Sequence, residues 1–107
     1  MNPFDRYNEM INQWDSLIKK GDFNSVRDQF SKINIKQIPR QYRASMASLL
    51  RRCGYVQHGL KLLTPAILYK NNEFKSDVKQ NELSEYAVLL MEMGLARQAL
   101  KTFSMVD

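Results

Sequence analysis

Cysteine and histidine each occur once in the 107 residues, as Cys53 and His58. One thiol cannot close an internal disulfide, and one thiol with one imidazole cannot build a common zinc site. No His with Asn or Asp stands in a pattern that would activate Cys53 as a nucleophile, so its expected role is a buried, inert thiol. His58 is read as a surface or packing residue. Long apolar runs are missing too. The longest, Tyr86 to Met91, has six residues and is far too short to cross a bilayer. Asp5 and Glu9 stand where a signal peptide would be basic and then apolar, and the expectation is a cytoplasmic protein with no membrane partner. Gly-rich phosphate loops, metal-ligand clusters and paired catalytic carboxylates are absent, so no cofactor, metal or catalytic residue is expected.

Acidic residues are missing from the middle of the chain. Between Asp28 and Glu73 there is none, while Lys32, Lys36, Arg40, Arg43, Arg51, Arg52, Lys61 and Lys70 supply positive charge. The net charge of +5 is therefore a basic segment, 29–72, between two mildly acidic ends. With 44% apolar and 25% charged residues the composition is that of a globular protein, and 107 residues make one domain or a piece of one.

What is present is helical periodicity. Phe4, Tyr7, Ile11, Trp14, Leu17 and Ile18 follow spacings of three and four and predict a helix from Pro3 to Lys20, stopped by Gly21. A second helix is predicted over Phe23 to Ile33, with Asp22 or Asn24 as its cap. Asn34 to Ile38 is a short linker, and Pro39 opens a third helix that runs to Cys53 with Tyr42, Met46, Leu49 and Leu50 on one face. Gly54 breaks it. The fourth helix contains Pro65, which should kink it or end it near Thr64. Tyr69 to Gln80 is polar and reads as the longest connection, with Ser76 or Asn81 as caps for a fifth helix that runs to Met93. A sixth follows Gly94. No segment alternates with a period of two, so the fold class is all-α, with about six helices.

The same phrase recurs around each glycine: LIKKGDFNSVRDQF, LLRRCGYVQHGLKLL and LLMEMGLARQALKTF. The glycines lie 33 and 40 residues apart, and the second interval is lengthened by the polar insertion after Tyr69. Four residues before each glycine stand Leu17, Leu50 and Leu90. Seven before stand Ala47 and Ala87, five after stand Gly59 and Ala99, and nine after stand Phe30, Leu63 and Phe103. Ile33, Ala66 and Val106 follow twelve after. On these residues the chain resembles tetratricopeptide-type helical repeats over nearly its whole length. Trp14 and Val26 depart from the pattern, since that family prefers small residues at their positions, and the first repeat is expected to pack more openly or to act as a cap.

The resemblance implies an α-solenoid of three antiparallel hairpins, about 3–34, 39–69 and 77–107, whose first helices line a concave groove. In the second repeat the lining positions fall on Gln41, Ala44, Ser48, Arg51 and Arg52, and in the third on Asn81, Ser84, Val88, Met91 and Glu92. In the first they fall on Asn8, Ile11, Asp15, Ile18 and Lys19. The implied function is a non-enzymatic scaffold for protein–protein interaction, binding an acidic or amphipathic peptide or helix in a groove with a basic centre. The family's Lys and Asn arrangement for gripping a C-terminal carboxylate is not reproduced here. Two other readings compete: RNA or DNA binding through 29–72, and a small chaperone that sheathes an apolar helix with Met46, Met91, Met93 and Met105. End repeats expose the face that a neighbour would cover. Leu95, Leu100 and Met105 are therefore expected to meet further repeats, a second copy or another chain.

Overall fold

A computed structural model describes residues 3–68 and 76–105, and all its regular structure is helical. The helices are α1 (Pro3–Lys19), α2 (Phe23–Ser31), α3 (Arg40–Arg52), α4 (Val56–Leu68), α5 (Ser76–Glu92) and α6 (Ala96–Phe103). A short 3-10 turn, Ile35–Gln37, connects α2 to α3. No strand occurs among the described residues. The expected packing residue Val106 and residues 69–75 of the polar connection lie outside the described residues, as do the side chains of Phe4 and Ala66.

Three turns of one design set the architecture. Gly21, Gly54 and Gly94 have φ of 80°, 80° and 79°, a left-handed conformation in which a Cβ would be strained. Each glycine N–H donates to the carbonyl three residues back, and the next N–H reaches five back: Asp22 to Leu17 at 2.8 Å, Tyr55 to Leu50 at 2.8 Å and Leu95 to Leu90 at 2.9 Å. This pattern satisfies carbonyls that a helix end leaves without donors. It folds α2 back on α1, α4 on α3 and α6 on α5. The leucine four before each glycine supplies the accepting carbonyl, so the sequence phrase and the turn geometry repeat together.

The pairs then pack on one another. α1 lies against α3, α3 against α5, and α5 also against α4. The core between them holds Met46, Leu50, Leu62, Leu63 and Leu89, all fully buried. Gly59 permits this closeness. A Cβ built there would lie 3.1 Å from Leu89 Cδ2 and 3.2 Å from the Ala47 carbonyl oxygen, tighter than ordinary van der Waals contact. α1 and α2 approach each other at fewer points than the other two pairs do. Trp14 and Val26 are nonetheless completely buried. The indole N–H of Trp14 donates to Gln29 Oε1 at 2.8 Å, and its ring meets Phe30 edge-on, so a large residue fits without leaving a polar atom unsatisfied.

Several expectations about element boundaries need correction. α1 ends at Lys19, and Pro39 and Cys53 flank α3 as its caps. α2 ends at Ser31, two residues before Ile33, and its cap is Asp22, whose carboxylate accepts from the Ser25 N–H and hydroxyl. α4 runs through Pro65 to Leu68. Lys61 and Pro65 are both exposed, so the helical carbonyl that loses its donor lies on the solvent side. The Thr64 hydroxyl donates to the Leu60 carbonyl at 2.7 Å, and burial of Leu62 and Leu63 holds the helix in place. α5 is Ser76–Glu92, so Ser76 and Asn81 are both helical residues and neither is its cap. α5 ends at Glu92, with Met93 in the turn.

Candidate functional site: an ion-paired groove across the first helices

α1, α3 and α5 enclose between them a groove of about 590 Å³. α1 contributes Ile11, Asn12 and Asp15. α3 contributes Gln41, Ala44, Ser45, Ser48, Leu49 and Arg52, and α5 contributes Asn81, Ser84, Glu85 and Val88. Of the residues expected to line it, Gln41, Ala44, Ser48, Arg52, Asn81, Ser84 and Val88 are brought together here, along with Ile11 and Asp15 from the first repeat. Arg51 and Met91 are not in the lining, nor are Asn8, Ile18, Lys19 and Glu92. Met91 is half exposed beyond it.

The floor of the groove is made of short side chains because α3 turns Ala44, Ser45 and Ser48 the same way at spacings of three and four. Its electrostatics differ from what the sequence implies. Arg51 donates through Nε to Glu85 Oε2 at 2.9 Å and through Nη1 to Glu92 Oε1 at 3.4 Å, and its Nη2 reaches the Ser48 hydroxyl. The Glu85 carboxylate holds the Arg51 guanidinium above its usual pKa, against the effect of burial. Arg52 pairs with Asp15 at 3.3 Å across the α1–α3 side. Asp15 also binds Lys19 at 2.9 Å, and this hydrogen bond, together with the charge of Arg52, lowers its pKa.

The remaining arginines of α3 are structural as well. Arg40 donates through Nε and Nη2 to both oxygens of Glu82 at 2.9 to 3.2 Å, and Glu82 is 1% exposed. Arg43 donates to three backbone carbonyls, those of Ile35, Ile38 and Leu62. It thereby ties the 3-10 turn to α4, while burial pulls its pKa down. The stretch without acids in sequence is thus supplied with acids in space by α1 and α5. Sequence reasoning missed Glu82 and Glu85 as the partners. The signal available was their spacing of three on one helix, a pair of carboxylates facing one way.

On the other side of the molecule, Arg27 donates to the Cys53 carbonyl at 2.9 Å and lies over the Tyr55 ring. Tyr55 stacks on His58 at 4.0 Å, and His58 meets Phe30 edge-on at 5.9 Å. Burial in this stack, reinforced by Lys61, lowers the His58 pKa. Cys53 is 2% exposed, and burial raises its thiol pKa. No cluster of three or more His, Cys, Asp or Glu able to hold a metal occurs among the described residues. No described helix is long and apolar enough to cross a membrane.

No protein-family model matches the sequence, and no curated protein and no solved structure does so either.

Proposed function

We propose that this protein is a non-enzymatic, tetratricopeptide-like interaction scaffold, a short cytoplasmic solenoid that holds an amphipathic helix or peptide of a protein partner in the α1–α3–α5 groove. The observation that carries this reading is the convergence of seven separately expected lining residues on one continuous groove. The groove has the usual composition of a peptide seat, an apolar and small-residue floor with polar groups at its edges. Its charge pattern narrows the ligand. Arg51 is committed to Glu85 and Glu92 and ties α3 to α5 behind the lining, so it is not offered to a ligand. The Arg52–Asp15 pair is weaker, because the Arg52 side chain is 46% exposed and water screens its charge. A partner carboxylate can therefore take Arg52 from Asp15 at little cost, and an amide or hydroxyl can use Gln41 and Asn81. This favours a protein ligand over a nucleic acid, whose phosphates need several uncommitted cations in a row.

The test is affinity capture from native lysate with the wild-type chain and with Ser45→Trp and Ser84→Trp variants, each with and without nuclease. A protein that survives nuclease and is lost with both tryptophan variants supports the reading. Capture that vanishes on nuclease treatment, or that neither variant changes, overturns it.

A further inference from the structure

We propose that the outer face of the third helix pair, formed by Met93, Leu95, Leu100 and Phe103, is a second docking surface, and that its occupant is a partner's amphipathic helix whose apolar stripe is bordered by Glu or Asp. The repeating turns allow equivalent positions to be compared. Nine residues after the hinge glycine stand Phe30, 4% exposed, Leu63, 0% exposed, and Phe103, 40% exposed. Six after it, Leu60 is half-buried but Leu100 is 66% exposed. Immediately before it, Cys53 is buried but Met93 is 40% exposed. The third pair thus carries the apolar residues of a covered pair on a face that no described residue covers.

The molecule itself contains an example of what such a face accepts. The second pair is covered by α5, which packs on both α3 and α4. α5 contributes Tyr86 and Leu89 to the shared core and sends Glu82 to Arg40 and Glu85 and Glu92 to Arg51. The cover is a helix with an apolar stripe and a row of glutamates, which here reach arginines of α3; the third pair has Gln80 and Met91 at those positions, so its edge cations stand on α6 instead. On the third pair the cations are Arg97 and Lys101, one turn apart beside Leu100 and both exposed. Neither has an ion-pair partner among the described residues, and there is no acid from Met93 to Met105. Carboxylates are the complement that this edge lacks.

A second copy of the chain does not supply that cover. Placed face to face, a second such surface offers Arg97 and Lys101 no carboxylate, since it too has no acid from Met93 to Met105. Placed head to tail, the copy presents the outer face of α1. The residues twelve, eight and five before its hinge are Glu9, Gln13 and Ser16, all exposed. In α3 the same positions are Tyr42, Met46 and Leu49, all buried. The apolar stripe of α1 is turned to its own core, and the outward positions offer none.

The test uses two capped synthetic helices of about 18 residues, long enough to hold helical structure, with leucines at i, i+3, i+4 and i+7 and either glutamates or lysines along one edge. Binding to the whole protein is followed by amide NMR shifts and fluorescence anisotropy. The glutamate-edged peptide is expected to bind saturably, with shifts centred on α6, and the lysine-edged peptide at least about fivefold more weakly. Leu100→Glu is expected to weaken binding about tenfold or more, as loss of a central apolar anchor does, with an unchanged circular dichroism spectrum. Arg97→Glu with Lys101→Glu should reverse the preference between the peptides. The proposal is overturned if neither peptide saturates, if both bind alike, or if the charge reversal leaves the preference unchanged. A concentration-dependent dimer that Leu100→Glu abolishes also overturns it, in favour of self-association. The Ser45→Trp variant leaves this binding intact, which separates the outcome from that of the groove.

Discussion

Glu82 is where a single side chain decides most. It is 1% exposed and accepts three hydrogen bonds from Arg40. Removing one member of a buried pair leaves the other charge in a poorly solvated place, at a cost of about 3 to 5 kcal/mol. Glu82→Ala is therefore expected to lower stability by about that much in urea unfolding, although its spacing from Glu85 alone does not tell a buried partner of Arg40 from a surface carboxylate. A loss below about 1 kcal/mol, ordinary for a surface pair, would show that the contact is not maintained in solution. His58 gives a pH signature. Its pKa is lowered in the folded protein, so the unfolded chain binds its proton more readily. Stability should be complete above the ordinary histidine value of 6.5 and should fall as pH drops through 6.5 toward the lowered folded value. The urea midpoint measured between about pH 7.5 and 5 should fall less in His58→Gln than in the wild type. Asp15, also lowered, titrates below its ordinary 3.8 and acts in a separate acid window.

The helices show what a one-dimensional pattern can and cannot specify. The three hinges were legible, because a left-handed glycine after a leucine-rich helix is a local event that needs no distant partner. At Pro65 the sequence left a kink or an end open, and the helix continues to Leu68 because burial of Leu62 and Leu63 by α3 and α5 outweighs a local preference of about 3 kcal/mol. The close approach at Gly59 was legible as a small position, but its neighbours Leu89 and Ala47 were not. The inter-pair contacts set the strength of the whole. Leu63→Ala and Leu90→Ala remove side chains that are 0% and 4% exposed, and each is expected to cost about 2 to 5 kcal/mol in equilibrium unfolding. An effect within about 0.5 kcal/mol would place these residues at the surface and undo the alignment of the repeats.

For the molecule as a whole, the charge map changed most between one dimension and three. Eight cations without an intervening acid suggested a basic groove, yet Arg40, Arg51 and Arg52 are answered by Glu82, by Glu85 and Glu92, and by Asp15. Long-range pairing of this kind leaves no trace in local composition, so the groove's position could be read from the repeat and its charge could not. Arg51→Glu, which a basic-groove reading would treat as a harmless probe of binding, should therefore destabilise the fold by roughly 3 kcal/mol, since it sets a third carboxylate against Glu85 and Glu92. Unchanged thermal stability in that variant would restore the basic reading. Finally, every hinge closes on carbonyls from its own helix, three and five residues upstream. No hinge waits for distant sequence, so each turn can close as it leaves the ribosome, while the packing of its helices waits for the neighbouring pair that completes the core.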